Sequence, residues 1–153
     1  MAQIVVTAKS YKDPAIRSDL TTLTLMDVVH GISLDTSLSV QDIEQGSQAT
    51  FSITITNTGN VQDSFLFWDP NTLEGQQEWL LPFGWEITFP LRVELDPGKS
   101  TTKILTVKVP STEDPGAFVI YLKGWSEGEP IKSVDKGTYD ILELGIFVSI
   151  QSE

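Results

Sequence analysis

Apolar and polar residues alternate along most of this chain with a period of two. The plainest stretch is 49–59, where Phe51, Ile53 and Ile55 alternate with Ser52, Thr54 and Thr56. That spacing puts the apolar side chains on one face of a strand and the hydroxyls on the other. Asn57, Thr58, Gly59 and Asn60 follow. They tolerate positive φ, so the strand should end in a tight turn.

The same rhythm predicts strands at 4–8, 20–26, 32–40, 65–68, 85–89, 91–95, 104–109, 118–123 and 138–150. Asp35 and Thr36 suggest a bulge within the third of these. Turn chemistry separates the runs: Pro14, Gly31, Gln45-Gly46, Asp69-Pro70-Asn71 and Asp96-Pro97-Gly98-Lys99. Pro90 restricts its run to an edge strand or a break. Residues 71–84 read as a loop, with room for a helical turn at 74–81. No stretch sustains a helical period. Strands at about ten-residue spacing with turns between them predict an all-β fold, an immunoglobulin-like antiparallel β-sandwich of roughly seven to nine strands. Its expected core is Phe51, Ile53, Ile55, Phe65, Phe67, Leu105, Val107, Val109, Phe118, Ile120 and Leu122. Trp85 shares the face of Ile87 and Phe89 and is expected to join them.

Residues 4–34 also resemble residues 118–150. Lys9 aligns with Lys123, Tyr11 with Trp125, Asp13-Pro14 with Glu129-Pro130, Ile16 with Ile131, and Ser18 with Ser133 across a one-residue gap. Gly31-Ile32 then aligns with Gly145-Ile146. The offset suits one sandwich unit rather than a short solenoid repeat. The expected organisation is therefore a trailing hairpin of a preceding repeat at 1–30 and one complete sandwich at 31–153. The same reading allows residues 145–150 to open a following unit.

Charge and composition narrow the function. The chain holds 21 acidic and 10 basic residues, a net charge of −11. Nucleic acid and anionic membrane surfaces call for a basic footprint, which this balance argues against. There is no cysteine, so disulfides, zinc–thiolate sites and thiol nucleophiles are excluded. No run approaches the length of a transmembrane helix. The first residues lack the basic and apolar regions of a signal peptide, and the repeat accounts for that: the expectation is a fragment of a longer secreted or anchored protein, at the cell surface or outside it.

Residues 43–122 resemble the repeats of large archaeal and bacterial surface proteins, the families named NEW3 and CARDB. The matching residues are Glu44-Gln45-Gly46, Ala49-Thr50-Phe51 through Asn57-Thr58-Gly59-Asn60, and Asp63-Ser64-Phe65. They continue with Gly84-Trp85, Leu95-Asp96-Pro97-Gly98-Lys99-Ser100, Val107-Lys108-Val109-Pro110 and Asp114-Pro115-Gly116. The resemblance implies an immunoglobulin-like spacer, adhesion or accessory module. The insertion at 71–83, which carries Trp79, departs from the family pattern.

Chemistry-bearing candidates are few. His30 is the only histidine, and neither a Gly-x-Ser-x-Gly elbow nor a His-Glu-x-x-His motif is present. No catalytic residue, enzyme activity or cofactor is expected. Asp69, Asn71 and Glu74 form a short oxygen-rich cluster of the kind that can ligate calcium, but its spacing is not that of an EF-hand loop, and solvated loop charge with an Asp-Pro turn is the favoured reading. Trp68, Trp79, Tyr121 and Trp125 are candidate ligand-binding aromatics, able to stack on sugar rings or to anchor a protein partner. Contacts between repeats or between sheets would use the same rings. The expected function is a non-catalytic structural, spacer or adhesion module. The alternative is a carbohydrate-binding accessory module of a glycosidase or adhesin. The expected partners are neighbouring repeats, a second copy paired through the stretch from Ile4 to Met26, or a surface protein or polysaccharide.

Overall fold

The structure, a computed structural model, describes residues 2–13, 15–24, 26–128 and 142–151. In chain order the strands are β1 (Ala2–Lys9), β2 (Arg17–Thr24), β3 (Ile32–Thr36), β4 (Val40–Glu44), β5 (Gln48–Asn57) and β6 (Asp63–Phe67). A short helix, α1 (Leu73–Glu78), interrupts them. Then follow β7 (Glu86–Thr88), β8 (Arg92–Leu95), β9 (Ser100–Lys108), β10 (Gly116–Ser126) and β11 (Leu142–Gln151).

Nine of these strands form an immunoglobulin-like sandwich. One sheet runs β3-β5-β9-β7 and the other β4-β11-β10-β6-β8. All pairings are antiparallel except β4 with β11, which is parallel. The alternation seen in the sequence determines which residues face inward. Phe51, Ile53 and Ile55 of β5 meet Leu105 and Val107 of β9 and, from the other sheet, Phe65, Ile120 and Leu122, all buried. Every expected core residue lies there, with Phe118 partly buried at the margin. Trp85, Ile87 and Phe89 are buried as expected. Each fully buried large side chain contributes about 1.5–3 kcal/mol. Opposite, the β5 hydroxyls pair across the strands, Thr54 with Thr102 at 3.3 Å and Thr56 with Ser100 at 2.7 Å.

Two strand expectations change. The run 32–40 is not one bulged strand. Thr36 Oγ1 donates to the Leu38 carbonyl at 3.0 Å, and this hydroxyl-anchored turn ends β3. The chain then crosses to the other sheet as β4. Residues 145–150 do not open a following unit either. They belong to β11, paired along its length with β10, and Ile146, Val148 and Ile150 fill this core.

The first hairpin forms as expected. β1 and β2 pair from Ala2 opposite Thr24 to Lys9 opposite Arg17 and make a two-stranded sheet of their own. It does not complete the sandwich of its own chain, because β10 already holds the place beside β6. Glu129, Pro130, Ile131 and Ser133, on which part of the repeat alignment rests, lie outside the described residues.

Candidate functional site

The candidate aromatics divide between the two sides of one sheet. Along β10, Ile120 and Leu122 point into the core, and Tyr121, Lys123 and Trp125 alternate with them. Trp68 follows β6 in the same alternation. Trp68, Tyr121 and Trp125 are half-buried. The Trp68 and Trp125 rings meet edge to face, with centroids 4.0 Å apart and planes crossing at 72°. Crossed rings present no common plane for a sugar to stack on.

Trp79 corrects the sequence reading. It is fully buried, not displayed by the insertion. Thr72 caps α1, its Oγ1 accepting from the Gly75 N–H at 3.0 Å, and a Cβ on Gly75 would collide with the Asp69 carbonyl. The helix therefore lies tight on the 69–72 turn and drives Trp79 inward. Trp79 Nε1 donates to the Trp68 carbonyl at 3.1 Å, and the Trp79 carbonyl accepts from the Tyr121 N–H at 3.0 Å. An amphipathic ring with a satisfied N–H is a core residue here. Lys123 secures the insertion from the other side, bonded to Glu78 at 3.1 Å and Glu143 at 3.3 Å. Burial disfavours its charge, but the two carboxylates outweigh this and raise its pKa above the ordinary lysine value.

The oxygen-rich cluster is a turn. Asp69 Oδ1 accepts from the Asn71 backbone N–H at 2.9 Å and from its side-chain amide at 3.0 Å, an Asx turn. Glu74 is exposed in the first turn of α1. Among the described residues, no group of three or more His, Asp or Glu side chains converges closely enough to hold a metal ion.

A denser polar constellation lies where the chain enters the sandwich. Asp63 opens β6, and its side chain is only 2% exposed. Its carboxylate pairs with His30 Nδ1 at 2.8 Å and accepts from the Ser126 hydroxyl, the Ser64 N–H at 2.7 Å and the Gly128 N–H at 3.2 Å. Burial alone would raise the Asp63 pKa, but the bonds from Ser126, His30, Gly128 and Ser64 together hold it below the ordinary carboxylate range. A Cβ on Gly128 would fall on the His30 ring, so only glycine lets the ring lie there.

The 57–60 turn completes the clamp. Asn60 Oδ1 accepts from Val29 N–H at 2.9 Å, and its amide donates to the Asp27 carbonyl at 2.7 Å. Backbone bonds from Asn60 N–H to Val29 O, 2.9 Å, and from Thr58 N–H to Gly31 O, 3.0 Å, add to these. Asn57, fully buried, donates to the Val61 and Leu95 carbonyls and accepts from Gly59 N–H.

Serine, histidine and aspartate meet here, but not in a nucleophile-activating order, which places the imidazole between the other two. Asp63 is the hub instead, and Ser126, 2% exposed, spends its hydroxyl on it. A cleft of about 210 Å3 lies against the cluster, lined by His30, Gln62, Asp63, Ser64, Glu94, Glu127 and Gly128. The sequence assigns His30 no partner, and the pairing with Asp63 emerges only from the fold. The only local signal was the His30-Gly31 pair before a strand, and its partner lies 33 residues away.

No family model and no curated protein matches this chain. Three solved structures are similar to it at low identity. A family 123 glycoside hydrolase from Clostridium perfringens aligns with a TM-score of 0.50 at 9% identity, over 82% of this chain and 28% of its own. The native conformation of E. coli alpha-2-macroglobulin gives 0.46 at 12% identity, over 88% of this chain and 7% of that one. PapD-like domain 7 of human CEP192 gives 0.42 at 10% identity, over 86% and 97%. The chain thus spans a small part of the first two proteins. At these identities the likeness concerns the fold alone, an all-β sandwich.

Proposed function

We propose that this chain is a non-catalytic structural module, a spacer or adhesion unit within a multi-repeat surface protein of the NEW3 and CARDB kind. The hairpin at 1–30 is then the trailing piece of the preceding unit. One observation carries the reading. The segment 27–31, which joins the hairpin to the sandwich, is bonded to the 57–60 turn and to Asp63 rather than left as a free linker. Flexible connectors let neighbouring units reorient. A connector tied at Asp27, Val29, His30 and Gly31 fixes the direction in which the preceding unit leaves, which a spacer requires. The surface location rests on the sequence resemblance. The carbohydrate-binding alternative has less support, since Trp79 is buried and the Trp68–Trp125 pair is crossed.

Residual dipolar couplings test the proposal. In the intact chain, hairpin and sandwich amides should fit a single alignment tensor. In a chain carrying both His30→Ala and Asn60→Ala they should need two. Two tensors in the intact chain would sink the spacer reading.

A further inference from the structure

The connector is held at one point by a contact whose strength depends on protons. The Asp63 side chain is 2% exposed, and a buried carboxylate calls for compensation. Its donors Ser126, Ser64 and Gly128 are neutral. Among the described residues, no lysine or arginine pairs with it. His30 is the partner able to bring a full positive charge, with Nδ1 2.8 Å from Asp63 Oδ2. An ionised carboxylate only accepts, so Nδ1 carries a proton in this pairing and Nε2 is the nitrogen left to titrate. The imidazole borders the cleft of about 210 Å3, so water reaches it. Gly128 fixes where the ring lies, since a Cβ there would fall on it.

The other charged groups around the ring do not compensate Asp63 in its place. Glu94 and Glu127 line the same cleft and add negative charge. Arg92 of β8 pairs with Glu127 at 2.9 Å and donates to the Ser64 hydroxyl at 2.9 Å. Glu94 accepts from the Gln62 amide at 3.2 Å. Asp27, on the connector itself, is exposed and offers its carbonyl to Asn60. The 57–60 turn holds only asparagine, threonine and glycine. A second proton on His30 therefore enters surroundings with more carboxylates than cations. Asp63, held below the ordinary carboxylate range, is an anion from mildly acidic pH upward.

We infer that His30 and Asp63 form a proton-operated latch, which closes the connector more firmly on the sandwich as the medium acidifies from about pH 8 to about pH 5. The neutral imidazole already donates one hydrogen bond. The imidazolium makes the same bond charge-assisted, and such bonds are about twice as strong. As pH rises through the imidazole range the added strength is lost and the neutral bond remains. In strong acid closure weakens again, because Asp63 takes up a proton. The inference rests on the reading of 27–31 as a tied connector and adds its regulation: a module held more firmly in mildly acidic surroundings than in alkaline ones.

Amide hydrogen exchange of the full chain tests this. The Val29, Thr58 and Asn60 amides donate bonds that hold the connector, so their exchange, corrected for the intrinsic rate at each pH, reads the open fraction. His30→Gln keeps a donor and cannot gain charge. Asp63→Asn keeps the imidazole and removes the anion. Protection of these amides in wild type, taken relative to each variant at the same pH, should rise on the order of fivefold from about pH 8 to about pH 5.5. Two references keep the result independent of how well either variant packs. A ratio that fails to rise against either one would overturn the latch. The open form stays a minor population throughout, so hairpin and sandwich keep one alignment tensor at every pH. Two tensors sink the spacer reading, whereas one tensor with a flat ratio sinks only the latch.

Discussion

Replacing Asp63 separates the clamp from the core. Asp63→Ala removes the acceptor of the Ser126 hydroxyl, the Ser64 and Gly128 N–H groups and His30. A buried donor without an acceptor costs about 1–3 kcal/mol. Ser126 and Ser64 are buried, whereas the His30 side chain, 18% exposed, borders the cleft and can be reached by water. The expected loss is therefore about 2–4 kcal/mol rather than the sum over all four donors. For a chain of this length that lowers the melting temperature by roughly 5–15 °C. Urea unfolding at neutral pH measures it directly.

Asp63→Asn sharpens the test, because it retains an acceptor oxygen and loses the charge. The folded-state pKa of Asp63 is depressed, so in acid the unfolded chain binds more protons at this site than the folded one. Its contribution is fully present above the unfolded carboxylate value, about 3.9, and is lost as pH falls through the lower folded value. The stability gap between wild type and Asp63→Asn should therefore narrow on going from neutral pH to about pH 3. A gap that stays constant, or an Asp63→Ala cost below about 1 kcal/mol, would refute the hub.

Three further outcomes follow from the packing. Ile53→Asp should unfold the sandwich, because it buries an unpaired charge, while Ser52→Asp on the exposed side of the same strand should shift the urea midpoint little. Trp79→Ala should cost about 3–5 kcal/mol by urea unfolding, since the ring is fully buried; a loss of ligand affinity without loss of stability would restore it as a binding residue. Lys123, whose pKa is raised by Glu78 and Glu143, contributes stability that is present below the ordinary lysine pKa and lost as pH rises through the higher folded value. Lys123→Met should therefore flatten the alkaline limb of a stability–pH curve.

The sandwich was legible because one rule carries most of it. A period of two decides which side chains face in, and Phe51, Ile53, Ile55, Leu105, Val107, Ile120 and Leu122 obey it. Where other forces enter, the pattern says less. The break at 37–39 depends on the Thr36 hydroxyl capturing a backbone carbonyl two residues on, which a smooth run of β-formers conceals. Trp79 reads as exposed because the polar residues Gln76, Gln77 and Glu78 lead up to it within an insertion, and the seating of α1 on Asp69 turns it inward. The clamp was least legible, since it joins positions 27–31, 57–63 and 126–128. Asn60 and Asp63 look like ordinary turn residues until the entering chain is laid across them.

Clamp and hairpin explain one another. A two-stranded hairpin is at best marginally stable alone in water, and among the described residues β1 and β2 have ladder partners only in each other. Fixing its base through Val29 and His30 reduces the orientations it samples. A hairpin meant only to complete its own sandwich would gain nothing from such a base, because β10 fills that place. A free linker, conversely, would let the hairpin swing against the faces of the sandwich. Holding the base at Asp63 sets the direction in which the hairpin leaves the sandwich, which is what the proposed spacer role requires.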